Sequence, residues 1–290
     1  MTNTMNTNLE DLKNSIEKIW NTKENIASST KGMERDAIEE CLSLLDSGKV
    51  RVSEKIEGLS MTNVLITGAN RGLGLGFVKS FLEKNVNVIC TTRNISGSKE
   101  LLEYKKKHPD NLEILELDLV KENSENTLSD LLSDKPIDIL INNAGVGNSN
   151  QHFGSVSSKA WVEVLKVNLI APLMITQSII ENVKKSSAKK IYFLSSQLGS
   201  IKENTSGGMY IYRSSKTSLN QVVKSLSVDL KAHGITVVSL HPGWVKTDMG
   251  GPNAPVSIEE SIEGMMKVIK ATDIRDTGRF LNYDGKELPW

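Results

Sequence analysis

Cysteine is nearly missing from this 290-residue sequence: only Cys41 and Cys90 occur, far apart and in no metal-like spacing. That argues against a disulfide framework and against a cysteine-ligated metal, so free thiols in a reducing compartment and no metal site are expected. Net charge is missing as well, since 35 basic residues balance 35 acidic ones. No global field therefore draws the chain to nucleic acid or to a membrane surface. Long apolar runs are lacking too. The most apolar segment, "LIAPLMITQSII", is broken by Pro172 and Gln177, is too short to span a bilayer, and reads as a core helix. The opening "MTNTMNTNLEDLKNS" has neither the basic nor the apolar region of a secretory signal. These absences lead to the expectation of a soluble, cytoplasmic protein with no nucleic-acid or membrane partner.

What is present falls into two unequal parts. Residues 9–58 carry helical apolar spacing (Leu9, Leu12, Ile16, Ile19, then Ile38, Leu42, Leu45) around a "SSTKG" separator. Gly48 reads as a helix C-cap, and strand-like alternation begins only at "KVRVSEKIEG". This part is small and polar, so a large core of its own is not expected. From Met61 to Trp290 the rhythm is alternating strand and helix: "NVLIT", "NVNVICTT", "LEILELDL", "IDILINN", "KKIYFLSS", "ITVVSL" and "GRFLNY", with helical stretches between them. Seven buried apolar runs joined by helical crossovers predict an α/β architecture, a Rossmann-type doubly wound parallel sheet with a small helical N-terminal extension. The domains read from this are 1–58 and 61–290.

"TGANRGLGLG" lies between the first strand and the first helix of the larger part. Glycines there allow a tight turn and close approach of backbone N–H groups to a pyrophosphate at a helix N-terminus. The spacing Gly68-x-x-x-Gly72-x-Gly74 resembles that of the short-chain dehydrogenase/reductase family, and the resemblance implies that Gly68, Asn70, Arg71, Gly72, Leu73 and Gly74 line a dinucleotide site. After the second strand, "CTTRN" offers Arg93 where NAD-dependent sites place a carboxylate for the ribose 2′-hydroxyl. With Arg71 as a second cation, NADP(H) is the expected cofactor. Three further segments match the family in order: "LDL" with Asp118 and Leu119 toward the adenine, "NNAG" with Asn142, Ala144 and Gly145, and "HPGWVKT" with Pro242, Gly243, Val245 and Thr247 toward the nicotinamide amide and diphosphate.

The family's reaction moves a proton through a phenol while hydride exchanges with nicotinamide. An ordinary tyrosine titrates near ~10, and an ammonium beside it favours the phenolate. Residues four apart share a helix face, so Tyr212 and Lys216 form the expected pair, whereas Tyr210 has only Ser214 at that distance. Tyr210 is instead expected to line the pocket or pack in the core. The family pattern Ser-Ser-x-x-Gly points to Ser196 rather than Ser195 as the hydroxyl that holds the substrate carbonyl, although the interval from Ser196 to Tyr212 exceeds the family's commonest spacing. Asn168 matches the family asparagine that supports a water linking the lysine to solvent. Lys216 would also hold the nicotinamide ribose. His233 and His241 have no nucleophile at triad spacing, and a structural role is expected for His241.

The segments "NNAGVG", "SSQLGSI", "GGMYIYRSSKTSLN", "HPGWVKTDMGGPNAP" and "NYDGKELPW" resemble the sniffer-type carbonyl reductases and the related C-factor proteins. That likeness implies NADPH-dependent reduction of small aldehydes or ketones, with a small carbonyl compound as partner and homo-oligomerisation left open. A non-catalytic signalling or binding protein on the same fold is the alternative. "ERDAIEECLSLLDSGKVRVSEKIEG" resembles the N-terminal helical domain of tetrahydrodipicolinate N-succinyltransferase. That enzyme's acyl-transfer site lies on hexapeptide repeats, which this chain lacks, so assembly, docking or inheritance from a gene fusion is expected of the extension. A role as an accessory of lysine biosynthesis would rest on that segment alone.

Overall fold

Short runs of β-branched and apolar residues, buried on both faces, become the strands of a parallel sheet. The computed structural model describes residues 12, 14–16, 18–19, 30–46, 62–147 and 152–290. Its strands are β1 (Asn63–Ile66), β2 (Asn87–Thr92), β3 (Leu112–Glu116), β4 (Ile139–Asn142), β5 (Lys190–Leu194), β6 (Thr236–His241) and β7 (Phe280–Asn282). They form one sheet in the order β3-β2-β1-β4-β5-β6-β7, every neighbouring pair parallel. The expected fold class is the observed one.

Contacts divide the chain into two units, Met1–Ser60 and Met61–Trp290. In the first, helix α1 (Met33–Asp46) carries Ile38 and Leu42, in line with the helical spacing read there. Glu34 and Asp36 sit favourably in its first turn, and Arg35 pairs with Glu39 one turn on. Leu9, Gly48 and the 49–58 segment lie outside the described residues.

In the second unit the helices are α2 (Gly72–Leu82), α3 (Lys99–Lys107), α4 (Ser124–Leu132), α5 (Ser158–Leu165), α6 (Ala171–Ser178), α7 (Ile180–Lys184), α8 (Tyr210–Asp229) and α9 (Ile258–Ala271). The two-residue period of the strands divides the core into two layers. Val64 and Ile66 face one layer with Phe77, Val78, Leu101 and Met265 from α2, α3 and α9. Leu65 faces the other with Leu128, Ile175, Val183, Leu219 and Val223 from α4, α6, α7 and α8. Helices thus cover both faces. The strand order reverses between β1 and β4, and the crevice beyond their carboxyl ends is where such a sheet receives a ligand.

The "LIAPLMITQSII" segment is helical but not continuous. Pro172 has no N–H to give to the Asn168 carbonyl one turn back, and the helix widens to a π-turn over Lys166–Ile170, with Ala171 N donating to Lys166 O. Among the described residues no helix is long and apolar enough to cross a membrane.

Candidate active site

The turn after β1 is knitted to the end of β4. Thr67 Oγ1 accepts from the backbone N–H groups of Asn143 and Ala144, each at 3.1 Å, and Asn143 Nδ2 donates to Thr67 O and Gly68 O at 2.8 and 2.9 Å. Gly68 and Gly72 adopt the left-handed backbone, with φ +66° and +55°. A Cβ on Gly74 would stand 2.3 Å from Gly68 O, so only glycine lets α2 begin this close to the turn. Arg71 N-caps α2 in extended conformation without a side-chain cap bond, and no acid occupies the first turn. The N–H groups and positive end of the dipole at this helix start are therefore not taken by a capping side chain, an arrangement suited to an anion.

Beside this turn lies a cavity of about 720 Å³. Of the residues expected at a cofactor site, Gly68, Asn70, Arg71, Gly72, Leu73, Gly74, Arg93, Asp118, Leu119, Ala144, Gly145, Tyr212, Lys216, Pro242 and Thr247 line it. Asn142 does not. As the last residue of β4 it points into the layer under the sheet, where its Nδ2 donates to Thr176 Oγ1 at 3.1 Å, and its neighbour Asn143 lines the cavity instead. Gly243 and Val245 also fall outside the lining. A Cβ on Gly243 would meet the Tyr283 ring at 2.9 Å, and Val245 is buried and bridges to Val256, so both shape the loop after β6.

The two arginines differ. Arg93 is exposed at the cavity and makes no ion pair with a described residue. Arg71 is held by Asp248 of the loop after β6 at 2.5 Å, both side chains being largely exposed. Its charge is already answered, leaving Arg93 as the freer cation. Lys246, Asp248 and Met249 line the same cavity and carried no sequence signal for it, because nothing in a loop's composition says which way it folds.

At the other end, Ser196 caps the 3₁₀ turn Gln197–Gly199, with its Oγ accepting from Leu198 N at 3.2 Å and bonding the Tyr212 hydroxyl. Ser195 is committed elsewhere, to Asn220 at 2.6 Å. The long interval from Ser196 to Tyr212 is absorbed by that turn and by three successive left-handed residues, Gly207, Gly208 and Met209, that swing the chain into α8. Lys216 Nζ lies 5.9 Å from the centre of the Tyr212 ring and donates to Leu194 O at 2.8 Å. Asn168, fully buried in the π-turn, uses its side chain on Val146: Oδ1 accepts from Val146 N at 2.8 Å, while Nδ2 donates to Val146 O at 2.9 Å and Ser215 Oγ at 3.1 Å. It braces the wall of the cavity directly.

One expectation is reversed. Burial pushes the Tyr212 phenol up, offset in part by the Ser196 hydrogen bond, and burial lowers Lys216 to about 8. Desolvation, which disfavours the charged form of each group, is the largest cause of both shifts. A phenol held protonated is the form that gives a proton. Tyr210 is neither in the core nor in the cavity lining: it is 40% exposed, with its ring 6.3 Å from that of Phe153.

These features, a glycine cradle at the sheet's reversal and a tyrosine and lysine lining the same cavity with a serine bonded to the tyrosine, are those of the short chain dehydrogenases. The family model described as "short chain dehydrogenase" matches residues 62–255, more than half of the chain, and the chain belongs to that family. C-signal of Myxococcus xanthus is 40% identical over 155 residues, spanning 53% of this chain and 93% of C-signal. Carbonyl reductase Sniffer of D. melanogaster superposes with a TM-score of 0.75 at 39% identity, over 80% of this chain and 100% of that one. An NADPH-bound carbonyl reductase from chicken fatty liver does so with 0.74 at 37% identity, over the same shares. Residues 11–66 are matched by the model of the tetrahydrodipicolinate N-succinyltransferase N-terminal region.

Proposed function

We propose that this protein reduces the carbonyl group of small aldehydes or ketones with NADPH. The observation that carries the reading is Tyr212, bonded to Ser196 and with Lys216 beside it, the tyrosine and lysine lining one end of a cavity whose other end is the glycine cradle. The cradle fits a dinucleotide: the uncapped start of α2 suits a diphosphate, and Arg93 suits a 2′-phosphate. When bound, NADPH supplies the hydride. Ser196 and Tyr212 hold the substrate oxygen by hydrogen bonds, and Tyr212, protonated at neutral pH, gives its phenolic proton to that oxygen as charge develops there. Lys216 would hold the nicotinamide ribose and, titrating near 8, helps return a proton to the phenol. Likeness to two carbonyl reductases supports the substrate class.

The relative named C-signal favours a second reading, in which the fold binds a dinucleotide and signals without turnover. Following NADPH oxidation against a panel of aldehydes and ketones separates the two. Turnover on the panel supports reduction, and tight NADPH binding without any turnover supports the second reading.

A further inference from the structure

Asn220 lies one turn beyond Lys216 on α8 and is only 3% exposed. Its Oδ1 accepts from Ser195 Oγ, at the end of β5, at 2.6 Å and from Ser239 Oγ, on β6, at 2.8 Å. Its Nδ2 is buried without a hydrogen-bond partner among the described residues and stands 3.1 Å from where a Cβ on Gly199 would be. An unpaired buried donor costs folding free energy that an apolar side chain of the same shape would not. Packing alone therefore gives no reason for an amide here.

The reason lies in what the amide holds. Ser196 is extended, with φ −149° and ψ 146°, so consecutive side chains from Ser195 and Ser196 point to opposite sides of the chain. Drawing Ser195 toward Asn220 turns Ser196 toward Tyr212. The turn that follows is pressed onto the same helix: a Cβ on Gly199 would stand 2.9 Å from the Lys216 backbone, and Thr217 Oγ1 donates to Gly199 O at 2.9 Å. One helix thus carries Tyr212, Lys216 and the clamp that aims the serine at them.

We infer that Asn220 is a positioning residue for carbonyl reduction: it clamps Ser195 and, through the extended Ser195–Ser196 pair, aims the Ser196 hydroxyl at the substrate oxygen and Tyr212. This rests on the reduction reading given above. Asn220→Ala, Ser195→Ala and Ser239→Ala are compared with the native protein, using NADPH and one aldehyde that the native protein reduces. NADPH affinity is read separately by fluorescence titration, and stability by thermal melting. Displacing a reacting group by about 1 Å costs on the order of a hundredfold. Asn220→Ala and Ser195→Ala should therefore each lower kcat by about ten- to a hundredfold with NADPH affinity unchanged, and the double variant should be no worse than the worse single one. Ser239→Ala should lower the melting temperature yet keep kcat, since it leaves the Ser195 bond in place. In Asn220→Ala the alkaline limb of the kcat profile should move upward, because the loosened Ser196 no longer favours the phenolate; a merely structural role would leave it where it was. Native kcat in Asn220→Ala, or equal kcat losses in Asn220→Ala and Ser239→Ala, overturns the inference. Should Asn220→Ala fail to fold, Ser195→Ala decides alone, native kcat again overturning it. A native protein that binds NADPH but reduces nothing sinks the reduction reading and this inference together, whereas native turnover with an indifferent Asn220→Ala sinks only this inference.

Discussion

The two ends of the cavity are built differently. The cradle end is made of backbone: Gly68, Gly72 and Gly74 set its shape, and its cations, Arg71 and Arg93, are exposed. The end near Tyr212 is made of side chains locked in the interior, with Lys216, Ser196 and Asn168 all buried and each holding at least one hydrogen bond. Exposed charges act through a high dielectric and add small increments, while buried groups act at short range and fail outright when one atom is removed. The cradle should therefore tolerate change in graded steps, and the buried end should not.

The sharpest break is Tyr212→Phe, which deletes one oxygen and keeps the ring. General acid–base catalysis contributes ~10²–10⁴-fold, so turnover should fall by that range while NADPH affinity, measured by fluorescence titration, stays near native. Tyr210→Phe, on an exposed ring leaning toward Phe153, should be far milder. If Tyr210→Phe proves the inactive variant, the assignment of the phenol is wrong.

A second test of the buried side uses acid. His241 ends β6, its Nδ1 has no partner among the described residues, and burial lowers it to about 4. Below the ordinary value of 6.5 the unfolded chain takes up a proton that the folded imidazole refuses. Stability should thus fall as pH drops from 6.5 toward 4, by up to on the order of 3 kcal/mol from this group. Urea melts of the native chain and His241→Asn across that window check the sign: the variant should show a flatter acid slope, and equal slopes would rule the imidazole out as the cause.

At the cradle, Arg93→Ala should weaken NADPH binding by about one to two decades, the worth of roughly 1.5–3 kcal/mol of charge-assisted contact, and leave NADH binding as it was. Turnover at saturating NADPH should stay near native. Equal affinity of the native protein for both dinucleotides would contradict the role given to this arginine. Asp248→Asn should act more weakly and in the opposite direction. Releasing Arg71 from an exposed ion pair worth about 0–1 kcal/mol should tighten NADPH binding by less than about fivefold.

The same contrast governs what the sequence made legible. Backbone features leave strong marks: strands show as β-branched runs, the cradle as spaced glycines, and the helical pair Tyr212 and Lys216 as a four-residue step. Side-chain direction leaves weak ones. Asn142 and Asn143 are adjacent and identical, and only the strand's phase decides which faces the cavity. The direction of the Tyr212 shift could not be read either, because it depends on how much water the fold removes from the phenol. Asp248 and Asn220 lie in the expected segments, but their partners are distant in sequence and no spacing rule reaches them.

The smallest expected effect concerns the first unit, Met1–Ser60. The described residues lining the cavity lie between Gly68 and Ile258, and the match to the short chain dehydrogenase model begins at residue 62. Residues 11–66 match a different family model, that of the tetrahydrodipicolinate N-succinyltransferase N-terminal region. A chain beginning at Met61 starts just before β1, the central strand, and keeps both ends of the cavity. Its kcat and NADPH affinity should equal those of the full chain, with any change confined to solubility or assembly, read by size-exclusion chromatography. The comparison is made at matched concentration, because a change in assembly alone would vary with it. A truncated chain that melts cooperatively and binds NADPH yet has lost turnover would show that the first part is needed to complete the site.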